Sequence, residues 1–300
     1  KTILVEYNNF HGSHLCQALL ANFFKNRNSS KIVAYFNYCV IVSPLELSFL
    51  QNLKWHISSM LSLGFKKIYK SFGVEHFIRP QITKEMKIKA IKISEEFFKS
   101  DVTNKDIVDL KINKIWIGDL MYDTYLKSRL IPTFDPNNQE FIKFFKNFLE
   151  LFFFWQYYLK ENKVIKIIGV HTCYSYGIPI RIGVNLGISS YAINSRAVMK
   201  IDKKVNGMGR EFLFHKSKFS KLSRKFQKKA LDFSKRKIDL RIQGESGLMG
   251  QLINRSKSSF SKINKKNKLV LKKNRKIKIL ICTHDFMDSI HVYGKNFFSD

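Results

Sequence analysis

Cysteine is scarce in this sequence of 300 residues: Cys16, Cys39, Cys173 and Cys282 lie far apart, and no two form a CxxC pair. A chain of this size does not need disulfides, and a reducing, cytoplasmic compartment is the expected setting. Long apolar runs are missing as well. The nearest approach to a membrane span is the Phe-rich stretch 141–159, which falls short of the roughly 18 uninterrupted apolar residues a span requires. Within it Lys143, Lys146, Asn147 and Glu150 recur at i, i+3, i+4 and i+7. One polar stripe on an otherwise apolar helix predicts packing between layers of a fold rather than insertion in lipid. The apolar start, residues 2–7, is too short for a secretory signal, and the chain opens on Lys1 rather than Met, so the natural start is expected upstream. No GxGxxG fingerprint occurs, which gives no support to a dinucleotide cofactor. Acidic residues are few, 23 against 53 Lys and Arg, leaving a formal net charge of +30.

What is present is ample core material. A hydrophobic share of 45% and an aromatic share of 14% exclude an intrinsically disordered chain and suffice for one large core or two smaller ones. The charge invites a nucleic-acid or anionic-membrane reading, but it is local. Residues 210–237 hold eleven Lys and Arg against Glu211 and Asp232, and residues 255–278 hold eleven more with no acid; together they carry two thirds of the net charge. Lys outnumbers Arg 42 to 11, a bias that an AT-rich genome produces without selection for any anion, so a solvated face and a binding face stand level. Phe219, Leu222, Phe226, Ala230 and Phe233 follow helical spacing and predict a basic amphipathic helix over 216–235. A non-catalytic binding protein for nucleic acid or anionic glycan is therefore the competing reading. Against nucleic acid, the basic segments carry no reader motif, and their aromatics fall on the apolar side of the helix.

Along the chain, short apolar runs alternate with helix-length segments, the order of βα units feeding a parallel sheet. Strands are expected at 2–7, 31–38, 66–69, 164–170 and 188–193. Helices are expected at 14–25, about 45–63, 83–99, through the Phe-rich stretch and near 176–186, with loops at 8–13 and 131–138. After the polar connector 254–276, the run KIKILICT over 276–283 reads as a second buried strand. An α/β chain with an open, doubly wound sheet follows, and in such sheets ligands bind at the carboxyl ends of the strands. The expected organisation is a domain over 1–209, a basic helix and linker over 210–275, and over 276–300 the beginning of a second α/β domain, so that the sequence is incomplete.

Four polar clusters sit where chemistry is expected. In the first, Asn8, Gly12 and Ser13 suit a tight turn and helix cap able to hold a phosphate or sugar hydroxyl, and His11 or His14 could act as a base near neutral pH. Ordinary loop histidines and a simple cap are the plainer alternative. In the second, Asp119 and Asp123 stand at i, i+4, close enough on a helix for one carboxyl to be raised and serve as a base; a capping Asp119 with Tyr122 and Tyr125 as packing reads equally well. His171 and Tyr174 form a third cluster behind a strong strand, with a buried, satisfied histidine as the alternative. The fourth holds His284, Asp285, Asp288, His291, Tyr293 and Gly294 directly behind the 276–283 strand. Its spacing matches no standard zinc or calcium signature, so a loop lining a cleft is expected and no metal is assigned.

The strings YNNFHGSH (7–14), IGDLMYDTYL (117–126) and HDFMDSIHVYG (284–294) together resemble bacterial capsule and surface-polysaccharide biosynthesis proteins, which are glycosyltransferase-like. The resemblance implies two Rossmann-like domains facing a cleft, the GT-B arrangement, with the N-terminal one on the acceptor side and the C-terminal one gripping the nucleotide. It implies metal-independent transfer of a sugar from a nucleotide-sugar to a glycan or lipid-linked acceptor, with no further cofactor. One of His11, His14, Asp119 or Asp123 would activate the acceptor hydroxyl, and the loop from His284 to His291 would contact the donor. An anionic membrane surface is a further expected partner, with the protein peripheral on the inner face of the inner membrane, and with most of the donor domain absent this segment is expected to be inactive alone.

Overall fold

A strand apolar on both faces needs cover on both sides, which places it inside a sheet between helical layers. The first strand, β1 (Thr2–Tyr7), buries Ile3, Leu4 and Val5 completely. The computed structural model describes residues 1–8, 11–36, 64–194, 197–203 and 215–242, with isolated positions between 50 and 61 and at 207, 290 and 291. In it β1 lies between β2 (Lys31–Phe36) and β6 (Val164–Gly169), parallel to both. The sheet continues through β3 (Val74–Ile78) on one side and through β7 (Ser189–Ile193) and β8 (Val198–Ile201) on the other, in the order β3-β2-β1-β6-β7-β8. Within this six-stranded sheet, β8 alone among the described strands runs antiparallel to its neighbour. The chain is thus α/β with a mostly parallel six-stranded sheet, and the order reverses between β1 and β6.

Alternation along the strands divides the core. Ile3, Val5, Ile32, Ala34 and Ile168 pack with Ala21 of α1 (His11–Asn28) and Tyr69 of α2 (Phe65–Ser71). Leu4, Val33, Tyr35 and Ile167 face the other way. They join residues of α3 (Lys84–Phe97), α5 (Gly118–Arg129), the Phe-rich α6 (Gln139–Glu161) and α7 (Gly177–Asn185). Phe141, Phe145 and Phe152 of α6 are fully buried, each contributing about 1.5–3 kcal/mol from area removed from water. As expected, α6 lies within the fold, packed on α3 and α7. Its polar stripe is shorter than the spacing indicates, because Glu150 is buried and burial raises its carboxyl pKa. Among the described residues no helix is long and apolar enough to cross a membrane.

Between α3 and α5, the short helix α4 (Asn104–Asp109) is held by a Thr103/Asp106 capping box and leads into the hairpin β4 (Lys111–Ile112) and β5 (Ile115–Trp116). Where α5 begins, the chain passes so close to α4 that a Cβ on Gly118 would lie 2.0 Å from the Ile107 carbonyl oxygen and 2.5 Å from that of Val108. Both obstacles are backbone and cannot swing aside. Gly118→Ala should therefore lower the unfolding free energy by about 2–3 kcal/mol. Urea denaturation checks this, and a loss under about 0.5 kcal/mol would show that α4 yields without cost.

Several sequence expectations are corrected. Residues 66–69 are not a strand but the middle of α2: Phe65, Ile68, Tyr69 and Phe72 repeat at helical spacing, and Tyr69 is fully buried on that face. The parallel neighbour of β2 is β3, whose pattern of buried ends around Glu75 and His76 hid it. The β4–β5 hairpin and β8 were not anticipated. Helix α1 starts at His11, leaving a shorter loop than 8–13. The expected helix over 216–235 is two helices, α8 (His215–Ser220) and α9 (Arg224–Ile242). Most of the helix expected at 45–63 and the whole 276–283 strand lie outside the described residues. The chain divides into one compact unit of Lys1–Glu211 with His284–Asp300 and a second of Phe212–Thr283.

Candidate functional site

The strand order reverses between β1 and β6, and the carboxyl ends of the strands at such a point are the usual ligand position in such sheets. Glu6, the one acid of β1, is fully buried there. Its Oε2 accepts from the backbone amides of Val170 (2.7 Å) and His171 (3.0 Å), and its Oε1 accepts from His171 Nδ1 at 2.7 Å. The imidazole also lies against the Tyr176 ring, centroids 4.9 Å apart. Burial alone would push His171 down, but the hydrogen bond and charge of Glu6 outweigh it and hold the imidazole above its ordinary pKa. Such a shift stabilises the fold fully below about pH 6.5, and the gain is lost as pH rises through the folded-state value. NMR titration should find His171 raised in the parent and shifted down in Glu6→Gln, which removes the charge of the carboxylate. A His171 titration unmoved by that substitution would contradict the pairing.

The first polar cluster turns inward beside this point. His14 is buried, its Nε2 donates to the Asn8 carbonyl at 2.9 Å, and its ring stands edge-on to Tyr69. Ser13 lies within α1 rather than capping it and donates its hydroxyl to Asn8 Oδ1 at 3.1 Å. The Asn8 amide donates to the Tyr69 hydroxyl, while Gln17 Nε2 donates to the Glu6 carbonyl at 2.6 Å. Together these bonds fix the end of β1 and the start of α1, which holds Glu6 in place. His11 opens α1, and Gly12 is exposed. Tyr174 is buried with a left-handed backbone, φ 55°.

The i, i+4 carboxylates do share a face of α5, but each has its own partner. Asp119 is held by both terminal nitrogens of Arg181, with Nη2 to Oδ2 at 2.5 Å; Arg181 Nη1 also donates to the Trp116 carbonyl, and the guanidinium lies over the Trp116 ring. Asp123 receives His291: Nδ1 donates to Oδ1 at 2.6 Å, and the His291 backbone amide donates to Oδ2 at 3.1 Å. Burial pushes the Asp123 carboxyl up, against the hydrogen bond and charge of His291 and with help from Asp119. Tyr122 stands perpendicular to the His291 ring at 5.2 Å. Thr172 and Cys173, from the loop behind β6 that Glu6 anchors through His171, line a small pocket of about 10 Å³ with Asp119, Asp123, Arg181 and His291, room for about one water.

One arrangement therefore joins Asp119, Asp123, Tyr122 and His291, and a neighbouring one joins His171 with Glu6. His284, Asp285, Asp288, Tyr293 and Gly294 lie outside the described residues. Sequence reasoning did not single out Glu6 or Arg181. Their signal was a charge inside an apolar segment, TILVEY and GIPIRIGVN, where a buried ion requires a partner. Among the described residues no three His, Cys, Asp or Glu side chains group as metal ligands. Chemically, a buried carboxylate on Nδ1 fixes the imidazole tautomer and directs proton exchange to Nε2. No protein-family model matches the chain, and neither a curated protein nor a solved structure does.

Proposed function

We propose that the protein is a glycosyltransferase-like enzyme of bacterial surface-polysaccharide synthesis, moving a sugar from a nucleotide-sugar to a glycan or lipid-linked acceptor. The observation that supports this reading is the Asp123–His291 pair beside a small pocket behind β6. In this scheme the acceptor oxygen bonds to the anomeric carbon as its proton passes to His291 Nε2. The bond from that carbon to the nucleotide phosphate breaks, and the negative charge departs on the diphosphate. Asp123 orients the imidazole and offsets the charge it gains. Asp119, tied to Arg181, shapes the wall, while Glu6 and His171 hold the 170–173 loop. The donor is assigned to a second Rossmann-like domain in a GT-B arrangement, and Lys, Arg or helix N-termini rather than a metal stabilise the leaving phosphate.

The full protein, given nucleotide-sugars and a bacterial membrane extract as acceptor, should release nucleotide diphosphate with and without Mg²⁺. Release from no donor under either condition would remove the enzyme reading. The basic helix α9 supports attachment to an anionic inner leaflet: Phe226, Leu231 and Phe233 are 62%, 59% and 54% exposed beside Lys225, Lys228, Lys229, Lys235, Arg236 and Lys237. Nearby basic residues each contribute about 1 kcal/mol at such a surface. Sedimentation with anionic but not neutral vesicles is expected; equal sedimentation with both would exclude the electrostatic mode, and preference for duplex DNA over vesicles would favour the nucleic-acid reading.

A further inference from the structure

Arg181 borders a second cavity, of about 350 Å³, within the size range of small-molecule sites. Three lysines are among the residues that line it: Lys111 and Lys114 of the β4–β5 hairpin and Lys203 beyond β8. Among the described residues no carboxylate lines it, and none of the three lysines has an acidic partner. Trp116, Ile115 and Ile201 supply an apolar wall.

Two observations separate this group from the many solvated lysines of the chain. The hairpin turns through Asn113 and Lys114 with φ 50° and 64°, a two-residue turn with both central residues left-handed, where glycine is the usual second residue. A lysine at that position carries backbone strain that glycine would relieve, so something other than the turn favours it. Moreover Arg181, only 6% exposed, adds a fourth cationic residue to the lining, and its buried Nε has no hydrogen-bond partner among the described residues.

We infer that this cavity binds a phosphorylated small molecule, with its phosphate among Lys111, Lys114 and Lys203 and its organic part against Trp116. Its bounded size and single aromatic wall favour a small ligand over a nucleic-acid strand, which tracks an open groove with successive stacking platforms. The inference does not depend on the sugar-transfer reading, since it uses neither Asp123 nor His291.

The test follows the indole N–H signals of the three tryptophans during titration with phenyl phosphate, with benzyl alcohol as the uncharged comparison. Phenyl phosphate should move the Trp116 signal and leave that of Trp155, buried beneath the sheet, in place, while benzyl alcohol moves neither. Lys114→Gly should weaken binding about tenfold while leaving the protein at least as stable to heat, and Lys203→Ala should weaken it similarly. An unmoved Trp116 signal, equal response to benzyl alcohol, or unchanged affinity in both lysine variants would overturn the inference. Stronger competition for the site by a single-stranded oligonucleotide than by phenyl phosphate would overturn it too.

Discussion

Arg181→Met should lower the unfolding free energy by about 3–5 kcal/mol, although the replacement is apolar, similar in length and set in a mostly apolar helix. Asp119 is 3% exposed, and Arg181 is its bidentate partner. Methionine keeps much of the packing on Trp116 but leaves the buried carboxylate without the Arg181 counter-ion, and desolvation of a charge that has lost its counter-ion dominates the loss. The pair itself contributes far less than its disruption costs, because two ions had to leave water to form it. The double variant Asp119→Leu/Arg181→Met should therefore regain most of the stability lost by Arg181→Met alone. Denaturant unfolding of the four proteins of this cycle measures the coupling. Arg181→Met within about 1 kcal/mol of the parent would mean that the pair behaves as an exposed one.

The same pair shows what a sequence makes legible. Asp119 and Asp123 were readable as a shared helix face because i, i+4 is local geometry. Their partners were not, since Arg181 lies 62 positions away and His291 lies 168 away. Glu6 and His171 meet across 165 positions only because β1 and β6 are adjacent parallel strands. Nothing in the local pattern of either strand specifies that adjacency. Strands β1, β2 and β6 and helices α3, α6 and α7 were legible from apolar periodicity, since their own burial sets the pattern. The misread at 66–69 has a comparable cause: four residues with two apolar positions satisfy either period, and only Phe65 and Phe72 on each side decide for a helix. Histidine content drew attention to His14, yet a histidine followed by aromatic packing and a carbonyl partner serves the scaffold. The more informative signal, a lone charge in an apolar segment, marks both Glu6 and Arg181 and went unread beside the polar clusters.

His291→Gln should reduce sugar transfer by about 100- to 10,000-fold, the range for loss of a positioned general base, with the fall in kcat rather than KM. Glutamine can still donate to Asp123, so the fold is retained, but it cannot take a proton from the acceptor. Asp123→Asn tests the other half of the pair. An amide there no longer accepts in the same way from Nδ1 and cannot offset an imidazolium, so activity should fall strongly even though His291 remains. Because burial raises the Asp123 carboxyl above its ordinary value, the ionised state that supports His291 is lost at a higher pH than for an ordinary aspartate as pH falls. The acid limb of the kcat/KM profile should therefore include this group in the parent and lack it in Asp123→Asn. A purely structural His291 would behave differently: its variants would change thermal stability and KM, and the pH profile would keep its shape. Partial recovery of His291→Gly by added imidazole would separate the two cases again, since a diffusible base can replace the lost nitrogen but not a lost packing contact with Tyr122.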